Sequence, residues 1–332
     1  MKRKGKGQDA APVTEAVVLN SNNTLSKRNN AEVRRLVLDA RAPNTRRAYR
    51  SDWKDFEGFC LQANLASMPA APGCVALYLV ELRDRGLKLS TIRRRLAAIS
   101  TAHKMANVDN PARIQLVSDC LKGIAREIGS KQTGKAPVLT ADVLSMAKSL
   151  PDTLRGARDK AVLLLGFAGA FRRSELTALT VDTIQDAPGG LLVTVSRSKT
   201  DQTGEGRVIG IPHGANRETC PVIALRRWLD LAAVSEGPLF REVTRWGRLT
   251  GQPMSNRAVA RIVKRAAAAV GLDPALYSGH SLRSGLATSA ALAGADDRSI
   301  MQQTGHKTRT MVDRYVRVAR VFENNAAAAV GL

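Results

Sequence analysis

The chain has little of what most metal, redox and membrane proteins are built from. Of its 332 residues only four are cysteines and four are histidines, and 4% are aromatic. The cysteines are Cys60, Cys74, Cys120 and Cys220. Because they are far apart and show no C-x-x-C or Cys/His ligand spacing, we interpret them as reduced core thiols in a cytoplasm, without a bound metal.

Long apolar segments are also missing. The longest run, at 161–171, is too short to cross a bilayer and is followed by Arg172 and Arg173, so it predicts a core helix. No continuous apolar segment follows the basic first residues, and we therefore expect no secretory signal. No amphipathic anchor or lipidation motif is evident, which argues against a membrane partner.

Positive charge is abundant. Lys and Arg number 51 against 29 acidic residues, a net charge of +22 that is spread along the chain. A basic globular protein of this kind favours a polyanionic partner, DNA or RNA, although on charge alone a merely soluble cationic protein stays an open alternative. The length is sufficient for two domains that each bury a core.

The composition changes along the chain. Residues 1–30 are rich in Lys, Gly, Asn and Ser, which predicts a disordered basic lead. Helical periodicity predicts a helical domain over 31–125, and the Gly, Ser, Lys and Pro of 126–138 predict a linker. In 139–332 helical patterns surround the strand-like runs 191–195 and 207–212, which predict a hairpin. The expected fold is mainly α with a small β-sheet.

Several predicted helices carry one apolar and one cationic face. Tyr49, Trp53, Phe56 and Cys60 recur at helical spacing, and a cationic stripe follows separately. The residues that we predict to contact DNA are Arg46, Arg47, Arg50, Lys54, Arg93, Arg94, Arg95, Arg257 and Arg261. For a single helix a solvated surface face is the better explanation of such a stripe, but two basic-striped helices in one small domain favour DNA backbone contact. Arg257 is a candidate for reading a guanine, with phosphate contact as the alternative.

The segment 277–317 combines an H-x-x-R pair, His280 and Arg283, with His306 and Tyr315. On a helical turn the pair faces one side, so it offers donors to phosphate oxygens beside a phenolic nucleophile. Upstream, Arg172 precedes Glu175 by three residues, and SRSKT places Lys199 in the turn after a strand. Each feature alone has a structural explanation: an ordinary helical ion pair, a solubilising lysine, or a half-buried tyrosine.

The order Arg, Lys, His-x-x-Arg, His and Tyr in these contexts closely resembles the tyrosine recombinases of the phage-integrase family. The resemblance covers roughly 35–325, and the layout is most similar to Cre-like and short Xer-type members. It implies a helical SAM-like core-binding domain followed by a mixed α/β tyrosine-recombinase catalytic domain. The chain departs from the family in having Ser284 where many members carry a second histidine.

The resemblance also implies a reaction, site-specific DNA recombination through a covalent 3′-phosphotyrosyl intermediate and a Holliday junction. Tyr315 would be the nucleophile and Lys199 the general acid. Arg172 (oriented by Glu175), Arg283, His280 and His306 would stabilise the transition state, and His280 is also a candidate proton acceptor. No metal, ATP or other cofactor is needed for this chemistry. Type IB topoisomerase-like relaxation and a catalytically silent DNA-binding accessory protein are the alternatives.

The implied partners are double-stranded DNA with inverted half-sites and three further copies of the chain in a homotetramer. The resemblance implies that the apolar tail, 326–332, is a C-terminal docking segment that inserts into a neighbouring protomer, and a frayed terminus is the alternative. We expect a cytoplasmic, nucleoid-associated protein, and we assign Trp228 and Trp246 to packing. Target sequence, direction of reaction, host element and accessory factors are left open by the sequence.

Overall fold

The computed structural model describes residues 42–129, 134–196 and 206–319, together with positions 32, 35 and 36 of a preceding helix. The chain divides into two compact units, Met1–Gln132 and Thr133–Leu332. The predicted lead at 1–30, Lys199 and the predicted docking tail at 326–332 lie outside the described residues. None of the described helices has both the length and the apolar character needed to span a membrane.

The first unit contains four described α-helices. They are α1 (Pro43–Gln62), α2 (Pro72–Asp84), α3 (Leu89–Met105) and α4 (Gln115–Ile128). Proline in the first turn suits the starts of α1 and α2, because its missing N–H has no partner within a helix there. Helix α1 packs on α3, and α2 packs on α4.

The core of the first unit lies on the predicted apolar face of α1. Phe56 and Cys60 are buried, and the Phe56 ring lies 5.0 Å from that of Tyr78. His103 is also fully buried, and its Nε2 accepts a hydrogen bond from the Ala70 N–H at 2.9 Å. Since its Nδ1 lies 2.9 Å from the Ile99 carbonyl oxygen and donates to it, His103 is a neutral, satisfied core residue.

The second unit is mixed α/β. Its helices are α5 (Thr140–Lys148), α6 (Leu154–Ala168), α7 (Arg173–Ala178), α8 (Pro221–Ala232), α9 (Asn256–Ala269), α10 (Ser281–Leu292), α11 (Asp297–Thr304) and α12 (Arg309–Ala319). Three antiparallel strands, β1 (Ile184–Ala187), β2 (Gly190–Val195) and β3 (Arg207–Pro212), form one sheet in that order, and β4 (Arg241–Val243) pairs with β5 (Leu249–Pro253).

The predicted hairpin is confirmed. Val193 pairs with Ile209 across β2 and β3, and both side chains are buried, whereas Val208 beside them is 61% exposed. This period-two alternation holds the register, because a slip by one residue would turn the apolar face to solvent. Strands β1, β4 and β5 were not predicted, since runs such as IQDA at 184–187 lack apolar alternation.

The predicted core helix at 161–171 is confirmed as far as Ala168, where α6 ends. Trp228 is fully buried, and its indole N–H donates to the Leu239 carbonyl oxygen at 2.8 Å. The assignment of Trp246 to packing is wrong. Trp246 lies between β4 and β5 and is 75% exposed, with the Arg245 guanidinium 4.3 Å from its ring centroid, because a hairpin turn projects from the core.

The first and last residues of the segment predicted as a linker, 126–138, are parts of the two folded units. Residues 126–128 belong to α4, and further along the Val138 N–H donates to the Ser281 carbonyl oxygen at 3.0 Å. Val138 is fully buried, and Gly285 of α10 lies against its backbone. A Cβ at Gly285 would overlap the Val138 carbonyl oxygen, so the second unit holds the end of this segment tightly.

Candidate active site

The site begins at the N-terminus of α7. Arg172 is the residue before the helix, and its backbone N–H donates to the Glu175 Oε2 atom at 2.9 Å. Its guanidinium Nη1 donates to Glu175 Oε1 at 2.6 Å. Although burial opposes ionisation of Glu175, these hydrogen bonds lower the pKa of its carboxyl below the usual value. The ionised carboxylate therefore holds the Arg172 side chain in position.

Arg207, the first residue of β3, was missed by the sequence analysis. Its Nη2 donates to Glu175 Oε2 at 3.2 Å, and its Nη1 donates to the Gln303 carbonyl oxygen at 3.1 Å. It thereby connects α7 to the end of α11, directly before His306. Gly305 has a φ of +64°, and a Cβ there would lie 2.5 Å from the Arg207 Nη1 atom. The arginine that begins RVIGIP gave no signal in the sequence, because one charged residue at a strand end is common.

Arg283 of α10 lies at the bottom of the site. It is only 1% exposed, and its Nη1 donates to the Ala170 carbonyl oxygen at 2.8 Å. Within the described part of the chain, its Nε and Nη2 atoms are buried without a hydrogen-bond partner. Burial and the nearby charge of Arg172 lower the pKa of Arg283 to about 10, so it stays a cation at neutral pH. A buried cation with unused donors is unfavourable unless an anion meets it.

The two late histidines lie against Tyr315 of α12. The Tyr315 hydroxyl is 3.4 Å from Nε2 of His280, which is the residue before α10. The His306 ring stacks on the tyrosine ring, with centroids 6.1 Å apart and planes inclined by 23°. The Tyr315 side chain also packs against a small apolar cluster that includes Val312. The structure therefore brings together all predicted catalytic residues among those it describes.

The tautomer of His306 follows from Thr304. The Thr304 hydroxyl donates its single proton to the Ile300 carbonyl oxygen at 2.6 Å, so its oxygen accepts from His306 Nδ1 at 2.8 Å. Burial, and then the positive charges of Arg283 and Arg172, lower the pKa of His306 to about 4. His306 is consequently neutral at pH 7, with its proton on Nδ1 and its lone pair on Nε2.

The predicted DNA contacts of the first unit are not equivalent. Arg93 is exposed, and Arg94 is exposed but paired with buried Asp52. The side chain of Arg95 is 14% exposed and forms an ion pair with Asp55. Arg47, Arg50 and Lys54 are exposed, whereas Arg46 is half-buried. In the second unit Arg257 and Arg261 are exposed on α9.

The residues of the site are suited to binding a phosphate rather than a metal. In the part of the chain that the structure describes, no group of three or more His, Cys, Asp or Glu side chains could hold a metal ion. Glu175, the carboxylate contacted by both arginines, already accepts hydrogen bonds at both oxygens. Three guanidinium groups, those of Arg172, Arg207 and Arg283, thus remain as the dominant charge.

Comparison with known proteins defines the class. Residues 138–320 match the model of the phage integrase family, and residues 34–107 match the phage integrase N-terminal SAM-like domain. The chain is 40% identical over 305 residues to the integrase/recombinase xerD homolog of Selenomonas ruminantium, covering 91% of this chain and 89% of that protein. It is 26% identical to recombinase cre of Escherichia phage P1, over 86% and 89% of the two chains.

Solved structures share the fold. The XerH site-specific recombinase bound to a palindromic difH substrate aligns with a TM-score of 0.60 at 17% identity, covering 79% of this chain and 73% of that one. The Tn1549 transposon integrase in complex with transposon right end DNA also gives 0.60, at 20% identity over 87% and 95%. The chain belongs to the phage integrase family of tyrosine recombinases, which are DNA strand transferases of site-specific recombination.

Proposed function

We propose that this chain cuts and rejoins DNA at a specific site through a phosphotyrosyl intermediate formed by Tyr315. The observation that carries the proposal is Arg283, a cation that is 1% exposed and has two buried donors without a partner among the described residues. A phosphodiester supplies the missing anion. Its non-bridging oxygens accept hydrogen bonds from Arg283 and Arg172, and the planar guanidinium groups can each donate two.

The cleavage step then follows from the contacts of Tyr315. Its phenolic oxygen attacks phosphorus and forms the new P–O bond, while its proton passes to His280 Nε2, 3.4 Å away. The bond from phosphorus to the 5′-oxygen breaks, and that oxygen leaves with a proton. A 5′-hydroxyl from the partner strand reverses these steps, so the energy of the phosphodiester is conserved in the enzyme–DNA bond.

His306 and Glu175 have supporting roles in this scheme. Since His306 is neutral in the free site, it donates from Nε2 to a phosphate oxygen only after it takes up a proton. The incoming negative charge favours that protonation, because it offsets the cations that lower the pKa of His306. Glu175 acts through Arg172 and Arg207, and we regard it as a positioning residue.

Lys199 is the proposed general acid for the 5′-oxygen. Support comes from the strands on either side of Lys199 in the sequence, because β2 ends at Val195 and β3 begins with Arg207, whose side chain reaches Glu175. An ammonium near several guanidinium groups has a lowered pKa and can lose a proton at neutral pH. The proposal is tested with Lys199→Ala on DNA that carries a 5′-bridging phosphorothiolate, whose sulfur leaves without a proton. Recovered cleavage supports a general acid, whereas equal impairment on both substrates refutes it.

The assembly that we propose is a homotetramer on two DNA sites, each with inverted half-sites, that exchanges strands through a Holliday junction. Support comes from the relatives, since the XerH structure contains a palindromic substrate. The segment 31–125 is the proposed core-binding domain, 126–138 the linker and 139–332 the catalytic domain. The tail at 326–332 is the proposed contact between protomers, and a cytoplasmic, nucleoid-associated location follows from the substrate.

The test of the central proposal is Tyr315→Phe on a nicked half-site substrate that traps the covalent intermediate. The wild-type chain should yield a protein–DNA adduct on a denaturing gel, and the variant should yield none while it still binds the half-site. The matched control is Tyr277→Phe, a buried tyrosine outside the site. Adduct formation by the Tyr315 variant would contradict the assignment.

The adduct assay, together with two further DNA substrates, distinguishes recombination from topoisomerase-like relaxation and from a silent accessory protein. A silent accessory protein forms no adduct with the nicked half-site. A topoisomerase-like enzyme forms an adduct but relaxes supercoiled DNA without a specific site. A recombinase joins two labelled duplexes that both carry the target site. It does not relax supercoiled DNA that lacks this site.

A further inference from the structure

A second cluster of arginines surrounds a cavity of about 230 Å³ in the catalytic unit, apart from Tyr315 and its neighbours. The cavity lies among α6, the β4–β5 hairpin and α9. Its apolar wall includes Met254, Ala258 and Ile262. Its charged and polar lining consists of Arg155, Arg158, Arg261, Arg265, Glu242, Thr244 and Thr250. Positive charge therefore predominates around a recess of limited size.

The side chains of Arg158 and Arg265 are held in place by a buried carboxylate next to the cavity. Asp159, whose side chain is 3% exposed, accepts hydrogen bonds from Arg158 Nε at 3.0 Å and Nη2 at 2.7 Å and forms an ion pair with Arg265. Arg158 Nη1 also donates to the Arg241 carbonyl oxygen at 3.3 Å. Arg158 is itself 5% exposed, so its remaining N–H groups have little access to water. Such fixed guanidinium groups are suited to binding an oxyanion.

The other two arginines have unused capacity. The Nε atom of Arg155 is buried and has no hydrogen-bond partner in the described part of the chain. Arg261 is exposed on α9, and no carboxylate among the described residues pairs with it. A buried donor that lacks a partner is rare in native proteins, and where cations also outnumber carboxylates it indicates a bound anion that satisfies it. Glu242 at the exposed edge is the single carboxylate of the lining.

We propose that this cavity binds a phosphate group. Four guanidinium groups face the carboxylates of Glu242 and Asp159, which leaves an excess of positive charge that one phosphate can neutralise. The adjoining turn between β4 and β5 carries exposed Arg245, Trp246 and Arg248. A turn with basic and aromatic side chains beside the cavity is suited to contacting a DNA backbone. We therefore favour a backbone phosphate of bound DNA, which rests on the proposed function, over a free phosphate.

The test uses the full chain and three substitutions. Arg155→Met removes the charge but keeps most of the apolar stem. Glu242→Gln removes the carboxylate charge at nearly constant shape, and Arg217→Met removes an exposed arginine elsewhere in the catalytic unit. Thermal unfolding is measured in inorganic phosphate and in chloride of equal ionic strength. Phosphate bound at the Tyr315 site contributes equally to all three variants, so differences between them report the cavity.

We expect the increase in Tm that phosphate causes to be smaller in Arg155→Met, unchanged in Arg217→Met and larger in Glu242→Gln. The second arm is half-site DNA binding against salt concentration. If DNA supplies the phosphate, the log–log slope becomes shallower by up to about 0.9 in Arg155→Met and stays the same in Arg217→Met. A reduced phosphate effect with an unchanged slope supports the cavity but identifies a free phosphate as its ligand.

Equal phosphate effects in all three variants would overturn the proposal. If Arg155→Met does not fold, Glu242→Gln still decides the question, because only a phosphate in the cavity makes binding stronger when that carboxylate is neutralised. Formation of the covalent adduct by Tyr315 on the nicked substrate is measured in a separate experiment. A failure of the recombinase assignment is thus distinguishable from a failure of this site.

Discussion

The helical unit and the active site of the catalytic unit use arginine in opposite ways. In the helical unit Arg94 and Arg95 form ion pairs with Asp52 and Asp55, and the Tyr78 hydroxyl donates to Asp55 at 2.7 Å. In the catalytic unit Glu175 is the carboxylate that Arg172 and Arg207 share, and Arg283 forms no ion pair with any described residue. Arginines of the first kind stabilise the fold, whereas those of the second kind outnumber the carboxylate beside them, and Arg283 has buried N–H groups from which a phosphate can accept hydrogen bonds.

This difference shows how an arginine that stabilises the fold can be distinguished from one that binds an anionic ligand. Burial by itself does not distinguish them, because Arg95 and Arg283 are both largely buried. Arg95 even has a buried Nε without a hydrogen-bond partner among the described residues, but its charge is balanced by Asp55. The decisive quantity is the local ratio of cations to carboxylates, which sets the free energy gained when an anionic ligand arrives.

The largest expected effect is on Arg283→Met. Cleavage should slow by about 10²–10³-fold or more, because a donor to the transition-state charge is lost. The free energy of unfolding should stay the same or rise, since a buried cation without a counter-ion is removed. Single-turnover adduct formation and urea unfolding measure the two quantities. A variant that is strongly destabilised would show that Arg283 has a structural role comparable to Arg95.

A smaller effect is expected for Arg207. Arg207→Gln should slow cleavage by about 10- to 100-fold, because Glu175 and the backbone before His306 each lose a hydrogen bond that positions a neighbour. Arg207→Lys, which keeps the charge, should recover part of the loss. Affinity for half-site DNA should change little in both variants. If affinity falls as much as the cleavage rate does, Arg207 contacts DNA directly.

Arg95→Met should lower the free energy of unfolding and leave the cleavage rate nearly unchanged, which is the reverse of Arg283→Met. Removing one partner leaves Asp52 and Asp55 under-compensated, and we expect a loss of about 1–3 kcal/mol in the free energy of unfolding. The cleavage rate at saturating DNA should remain close to that of the wild type. Arg93→Met is the matched control for stability, because Arg93 is exposed and its removal should cost less than about 0.5 kcal/mol.

The pH dependence of stability depends on His306. In the unfolded chain His306 takes up a proton as the pH falls below about 6.5, whereas the folded protein keeps it neutral until about pH 4. The unfolded state therefore binds more protons in this interval, and the free energy of unfolding should decrease as the pH falls from 6.5 towards 4. Denaturant unfolding at several pH values measures it. In His306→Phe this part of the decrease should disappear.

The smallest effect concerns DNA affinity through Arg93. Replacement by methionine should make the log–log salt slope shallower by about 0.9, equally for specific and random DNA, because one phosphate contact is lost. For Arg95→Met, whose charge is already balanced by Asp55, the slope should change less. Equal changes in both variants would mean that the ion pairs of the helical unit open when DNA binds.

Much of the site was predictable because its chemistry depends on residue types in a fixed order. Arg172 with Glu175, His280 with Arg283, and the spacing from His306 to Tyr315 all have local signatures, and the buried stripe of α1 and the β2–β3 hairpin have clear periodicity. Trp246 was misassigned because an aromatic residue predicts burial only on average. Its exposure depends on the turn between β4 and β5, which carries no apolar alternation.

By itself the sequence determined the family, the mainly helical fold and the set of groups that can perform phosphoryl transfer, since these follow from local patterns and residue order. Only the tertiary structure decided which charges are balanced. Arg93, Arg94 and Arg95 are neighbours of the same type, yet carboxylates from α1 pair with Arg94 and Arg95 and leave Arg93 exposed. Arg207 and Glu175 are separated by 32 positions and meet only after folding. The energy of a Coulomb interaction depends on the distance between two charges in space, and the order of residues along the chain does not record such distances.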